Sequence, residues 1–415
     1  MRSFSEWSVY MIVMAVSVLA FCSPLSASSV RDNESDGGVS ENVSSAKVHF
    51  AYDVDFEMDF DNRELYRSRF SESMTIFGAR LTPSVGMDVS TSDGSSHKLM
   101  LGIDVMKDFG ASPVEDSIAG EDSPETSMRQ NNVNLFREIT LYYQYRKTFG
   151  KTDMTIAAGI FPRRFSEGAY SRAFFSDSLR FYDNNLEGIL FKFRRPSAYY
   201  EVGCDWMGMI GNFRRERFMV FASGYGNVHP FVKLGFSAYL YHFACSGKAD
   251  GVVDNILINP YIKADFASVT PFQELSIQLG WLQSGQNDRK RVGKYVFPGG
   301  LSVDTDIRKW NAGIRNTLFY GRNMMPYYNN VDNAGYKYGN MLYMGEPFFR
   351  VHDDGRTDSG IYDRLEAYYE PQIGQFLSIR VAAVFHFNGS YSGCQQIVAL
   401  KFNLQRLLDK TSKNR

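Results

Sequence analysis

From Lys47 to Asn62 the chain alternates without a break. Val48, Phe50, Tyr52, Val54, Phe56, Met58 and Phe60 fall on one face, and Lys47, His49, Asp53, Asp55, Glu57, Asp59 and Asp61 fall on the other. A strand sends successive side chains to opposite faces, so period two gives one apolar and one polar face. Soluble strands average about 5–6 residues, and this run is much longer. The pattern returns along the chain. Leu99, Leu101 and Ile103 oppose Met100, Gly102 and Asp104; Ile139 and Leu141 oppose Glu138 and Thr140; Ile277 and Leu279 oppose Gln278. Trp310, Ala312 and Ile314 oppose Asn311, Gly313 and Arg315, and Leu400 opposes Lys401. The polar partners are small or charged, which predicts a wet lumen and not a packed core.

These runs predict sixteen strands at 47–60, 73–90, 98–107, 133–148, 153–161, 185–194, 198–207, 217–225, 230–242, 255–267, 272–283, 306–320, 335–345, 360–370, 376–387 and 394–405. Fourteen or eighteen stay open. Long connections at 61–72, 108–132, 162–184, 208–216, 243–254, 284–305 and 346–359 alternate with shorter ones, the exception being 321–334. That asymmetry is the one expected of long external loops and short periplasmic turns. An exposed sheet edge in hydrocarbon would leave backbone groups unpaired at several kcal/mol each, so such strands must close on themselves. The expected fold is all-β: a single transmembrane antiparallel up-and-down barrel, wide enough at sixteen strands to enclose a channel.

The segment before the barrel changes the compartment. An uncharged run with its apolar heart from Val9 to Phe21 precedes the small residues Ser26 to Ser29. It predicts a signal peptide over 1–27, since the heart falls short of the ~20 residues of a spanning helix. Residues 28–46, rich in Ser, Asn, Asp and Gly, form a periplasmic lead-in to a barrel at 47–405, and 406–415 is a polar tail. Outer-membrane lipids and lipopolysaccharide are the expected surroundings, with the barrel assembly machinery and periplasmic chaperones as partners in biogenesis. A monomer and a homotrimer stay open. The formal charge of −1 argues against a nucleic-acid partner.

Candidate chemistry is sparse. Cys204, Cys245 and Cys394 have irregular spacing, so neither a disulfide framework nor a metal site is expected, and no cofactor motif occurs. A lipase would need a Ser–His pair at the bilayer rim. His386 with Ser390 and His242 with Ser246 are nominal pairs, better read as polar rim residues, so no enzymatic activity is expected. Charge clusters remain. Asp53, Asp55, Glu57 and Asp59 lie on one lumen wall, and Arg80, Lys192, Arg315, Arg364, Arg380 and Lys401 are basic lumen candidates. The third long loop, 162–184, carries Arg163, Arg164, Arg172 and Arg180 among aromatic residues. Folded inward, these arginines would form a constriction facing the acidic first strand and favour anions. The competing expectation is that they pair with Glu167, Asp177 and Asp183 inside the same loop.

The segments FPRRFSEGAYSRAF, DNNLEG, DWMG followed by RRERF, VVDNILINPY and YDRLEAYYEP resemble porin-like outer-membrane barrels, broadly the phosphate-selective porin O and P type and its relatives. The resemblance covers about 45–405 and implies an outer-membrane channel for passive diffusion of small polar or anionic solutes. A structural or adhesin-like barrel without channel function is the alternative. The chain departs from usual barrel ends in the polar run after Phe402.

Overall fold

The computed structural model describes residues 46–66, 68, 71, 73–110, 135–352, 356, 358–388 and 392–404. The expected signal peptide, nearly all of the lead-in and the polar tail lie outside the described residues.

Sixteen strands form the wall: β1 (Lys47–Tyr66), β2 (Met74–Ser90), β3 (Ser96–Asp108), β4 (Phe136–Phe149), β5 (Thr152–Pro162), β6 (Asn185–Arg195), β7 (Ala198–Gly208), β8 (Arg217–His229), β9 (Val232–Phe243), β10 (Val253–Asp265), β11 (Glu274–Asp288), β12 (Gly299–Lys309), β13 (Ala312–Gly321), β14 (Gly360–Tyr369), β16 (Leu377–Phe387) and β17 (Ser392–Asn403). A two-residue strand, β15 (Gln372–Ile373), pairs only with the start of β16. Each wall strand is antiparallel to its neighbours in the chain, and β1 also pairs with β17, from Asp55↔Asn403 to Tyr66↔Ser392. The barrel is therefore closed.

The alternation sorts side chains as the sequence predicts. Val48, Tyr52, Leu141, Leu279 and Ile314 are exposed on the outside, and Phe56 and Leu400 are half-buried there. Such an apolar exterior suits hydrocarbon and would be a liability in water. Asp53, Glu57, Thr140, Gln278, Arg315 and Lys401 occupy the opposite, lumen-facing register.

Three sequence expectations need correction. The run 306–320 is not one strand. It spans the end of β12, a two-residue turn and β13. Trp310 and Asn311 both have positive φ, 52° and 67°, the geometry of a tight hairpin whose twist matches its strands. Asparagine tolerates that region but tryptophan rarely adopts it, so the turn carries no ordinary sequence signal. Secondly, Gly299 and Gly300 lie inside β12 and not in a loop over 284–305. A Cβ on Gly300 would stand 2.6 Å from the Cα of Gly321 on β13, so the glycine allows a close approach of two strands. Thirdly, residues 335–345 are not a strand and 321–334 is not a short-end connection. Residues 322–352 form one long inward segment containing a short helix, Gly339–Leu342. The count of sixteen survives because one split strand replaces one false strand.

The wall makes a stability prediction. Leu279→Arg, on the apolar exterior, should cost about 2–4 kcal/mol if its site lies near the bilayer midplane. Gln278→Arg, one residue away but inward, should cost far less. Denaturant titration of refolding into lipid vesicles reads both, and equal losses would show that the two faces are not distinguished by solvent.

Candidate functional site

The half of the lumen next to the long loops is packed, not wet. Loop 163–184 enters it directly after Pro162, through a 3-10 turn at Arg163–Phe165 and a short helix, α1 (Asp177–Tyr182), capped by Ser176 Oγ, which accepts the Leu179 N–H at 3.1 Å. Segment 322–352 enters from the other side. The two meet through backbone bonds: Ser176 N donates to Met344 O and Glu346 N donates to Arg172 O, each at 2.8 Å. Phe174, Phe181, Leu342, Tyr343, Phe348 and Phe349 are all buried. All but Phe181 pack with inward side chains of the wall, including Met100, Phe161, Phe221, Tyr241 and Phe319, into one apolar cluster, while Phe181 lies under the Arg80 guanidinium. The expectation of a wet lumen therefore fails at this end. Two-faced strands do not reveal whether a loop will enter and supply a second apolar layer.

Polar contacts bind both loops to the wall. Tyr343 Oη donates to Gln286 Oε1 at 2.5 Å, Tyr241 Oη to Met341 O at 2.8 Å, and Gln286 Nε2 to Met324 O at 2.8 Å. Buried Arg215 forms an ion pair with Asp332 at 2.8 Å and stacks over Phe243. These residues of the second loop were missed by sequence reasoning. Their signal was the density of Tyr, Met and Phe over 324–349, of which alternation misread 335–345 as a strand.

The four loop arginines do not form a ring. Arg163 ties the loop's two ends together through Asp183 at 2.9 Å and fastens them to β7 through Asp205 at 3.1 Å. Arg164 reaches across to β1 and pairs with Asp53, at 3.2 Å, and Asp55. Arg172 binds Asp177 within the loop at 3.1 Å and faces Glu366 of β14 at 3.5 Å. Arg180 is exposed and, among the described residues, makes a long bond to Tyr170 O and no ion pair. Glu167 pairs with Lys192 at 2.5 Å, and with Arg194.

Most wall charges are likewise paired. Glu57 meets Lys401 at 2.5 Å, and Arg315 meets Asp306 at 2.6 Å. Arg364 and Arg380 share Glu366, Arg380 also holding Glu370 at 2.7 Å. Arg80 pairs with Asp104 and donates to the carbonyls of Phe181 and Tyr182, gripping the end of α1. Asp59 lies on the lumen side of β1 and forms no ion pair among the described residues.

The nominal Ser–His pairs play other parts. His386 is enclosed by Tyr362 Oη at 2.9 Å and Gln395 Oε1 at 2.7 Å and stacks on Phe348; Ser390 lies outside the described residues. Ser246 Oγ accepts the N–H groups of Lys248 and Ala249, closing its own turn. Among the described residues, no three His, Cys, Asp or Glu side chains gather at metal-binding distance.

A second polar cluster lies outside the barrel, at the long-loop end of the β1–β17 seam. Asn62, Glu64 and Tyr66 alternate outward on β1, opposite Gln396, Cys394 and Ser392 of β17. Asn62 Nδ2 donates to Gln396 Oε1 at 2.5 Å and Glu64 Oε1 at 3.1 Å, and Thr75 Oγ1 donates to Asn62 Oδ1 at 2.8 Å. Beside them is an open cleft of about 520 Å³, with Glu64, Ser73 and Ser392 on its polar side and Phe385 and Phe387 on its apolar side. The cysteine in it, Cys394, is free.

Residues 44–245, just under half of the chain, match the family described as lipid A 3'-O-deacylase-type. This overturns the expectation of no enzymatic activity, because the matched family is an enzyme type. It is also not the phosphate-selective porin type. No curated protein matches the chain. Solved structures similar to it include a loop-deletion mutant of OmpT, an outer membrane protein of Vibrio cholerae, at 10% identity, covering 85% of this chain and 99% of that one with a TM-score of 0.48. OccK9 (OpdG) of Pseudomonas aeruginosa is 7% identical, covering 86% and 98% with a TM-score of 0.48.

Two outcomes test the packed lumen. Phe174→Ala should cost about 3–5 kcal/mol in denaturant unfolding, as an aromatic removed from a closed core, whereas Lys294→Ala, at an exposed loop position, should change stability by less than about 0.5 kcal/mol. The Asp177 side chain, still 43% exposed, adds a pH effect. Its depth in the barrel pushes the carboxyl up, but Arg172, Arg364 and Arg180 outweigh this and hold it below its ordinary value. A carboxylate held low stabilises above its ordinary pKa and loses that contribution as pH falls below it. Acidification below about pH 4 should expose loop 163–184 to pepsin, with a smaller change in Asp177→Asn.

Proposed function

We propose that this chain is an outer-membrane barrel that hydrolyses an acyl ester of an outer-leaflet lipid, with the lipid A class as substrate and the seam cleft as the site. The observation that carries this is the cleft itself: a carboxylate and hydroxyls meet aromatic rings on the outer, lipid-facing surface. The match of residues 44–245 supports the substrate class, and the packed outer lumen supports a site on the outside. In this reading the long loops are external. The ester carbonyl of a lipid lies at the height where water and hydrocarbon meet, and the cleft offers both environments. Phe385 and Phe387 flank the acyl chain. Glu64, held by Asn62, takes a proton from a water that attacks the carbonyl carbon. Ser73 Oγ accepts the Leu65 N–H at 2.9 Å and keeps its own proton for the developing oxyanion. Collapse breaks the acyl C–O bond, and Glu64 returns the proton to the leaving alkoxide, giving a free fatty acid and an alcohol.

Passive diffusion of small polar or anionic solutes is the second reading. It is favoured by the charged lumen near the short turns, where Arg164 stands against Asp53 and Asp55. The two readings separate experimentally. Expression in a host with lipid A of defined acylation should remove one acyl chain by mass spectrometry, and Glu64→Gln should slow this by roughly 10²-fold or more. Intact lipid A together with a steady conductance in planar bilayers, its ion preference altered by Arg164→Ala, would establish the channel instead.

A further inference from the structure

Loops 209–216, 244–252 and 289–298 fuse into one surface at the long-loop end. Gly247 N donates to Gly211 O at 2.8 Å and Arg289 N to Val252 O at 3.0 Å, while Lys290 pairs with Asp250. Arg289 is committed to Asp254 at 2.7 Å. Arg214, Lys248, Arg291 and Lys294 are exposed and form no ion pair among the described residues. Apolar side chains are exposed on the same loops: Met209 is 62% exposed, Phe213 68% and Phe297 62%, while Arg214 Nε donates to Met209 O at 2.7 Å and Arg291 lies over the Tyr338 ring at 5.6 Å. On the outer wall where these loops leave it, Trp206 and Phe218 stack at 5.3 Å and His242 follows at 4.9 Å. Aromatic ladders of this kind mark the membrane interface.

We infer that this surface binds phosphate-bearing lipid headgroups of the outer leaflet. Exposed guanidinium and ammonium groups supply charge-assisted hydrogen bonds to phosphate oxygens. The neighbouring Met209, Phe213 and Phe297 enter the acyl boundary beneath. A cluster of like charges repels itself and is held in register here by backbone bonds between three loops, which is what a phosphate clamp needs. The inference rests on the reading that the long loops face outward and the substrate is a phosphorylated lipid. It adds a recognition surface distant in sequence from the β1–β17 cleft.

The test uses the full chain as Glu64→Gln, so that the probe is not consumed. Its binding to diphosphorylated lipid A in mixed micelles is measured against the same lipid stripped of phosphate. The phosphorylated lipid should bind at least about tenfold more tightly, the preference weakening with added salt. The combined variant Arg214→Gln, Lys248→Gln, Arg291→Gln and Lys294→Gln should lose that preference while keeping its lipid-free unfolding midpoint, which shows that it folds. Equal affinity for both lipids, or an unaltered preference in the folded variant, overturns the proposal. Lys294→Cys labelled by an impermeant maleimide on intact cells supports the orientation, and labelling only after lysis overturns it. Deacylation is scored separately in the chain with Glu64 intact, so a failed hydrolase reading leaves the binding result standing.

Discussion

The backbone pairing of β1 with β17 is the constraint on which the rest depends. In hydrocarbon no water compensates an unpaired N–H or C=O, so a sheet of this size is admissible only if its first and last strands meet. Closure converts the alternation of each strand into an inside and an outside. It also brings residues from the two ends of the chain together, and the seam cleft is a direct result: Glu64 and Cys394 become neighbours only because the sheet closes.

Closure creates a second problem, a wide interior, and the chain solves it in two ways. Near the short turns it leaves charges and pairs them across strands, as in Glu57–Lys401 and Arg315–Asp306. Near the long loops it folds two segments inward and surrounds them with aromatic and methionine side chains. The buried ions there, Arg80 with Asp104 and Arg215 with Asp332, are each held by further carbonyl bonds. Breaking one partner of such a pair leaves an uncompensated charge, so these contacts fix the loops' positions even if they add little net stability.

The barrel was legible because its cause is local. Alternation at Val48 to Phe60 reports two different solvents at two faces of one strand, and no distant residue is needed to read it. What failed was what distance decides. Trp310 and Asn311 turn the chain through backbone angles unrelated to a glycine signal, and Gly300 is a strand residue because Gly321 lies opposite. The 324–349 segment is apolar for the same reason a strand is, but its partner is another loop. Among the candidate residues, pattern placed Asp53, Arg80 and Lys401 on the lumen side. It could not tell that Arg163 is a fastener and Arg164 a cross-lumen contact, since both follow from where Asp183, Asp205 and Asp53 stand in space.

The bond between Ser176 and Met344 joins segments from opposite halves of the chain. In time, this means that the inner layer cannot consolidate when loop 163–184 is made, because the segment it needs has not yet emerged. The inner layer is completed only after the chain has been made past Met344. Once it is complete, removing a wall strand that carries part of this core means breaking contacts to which both halves of the chain contribute.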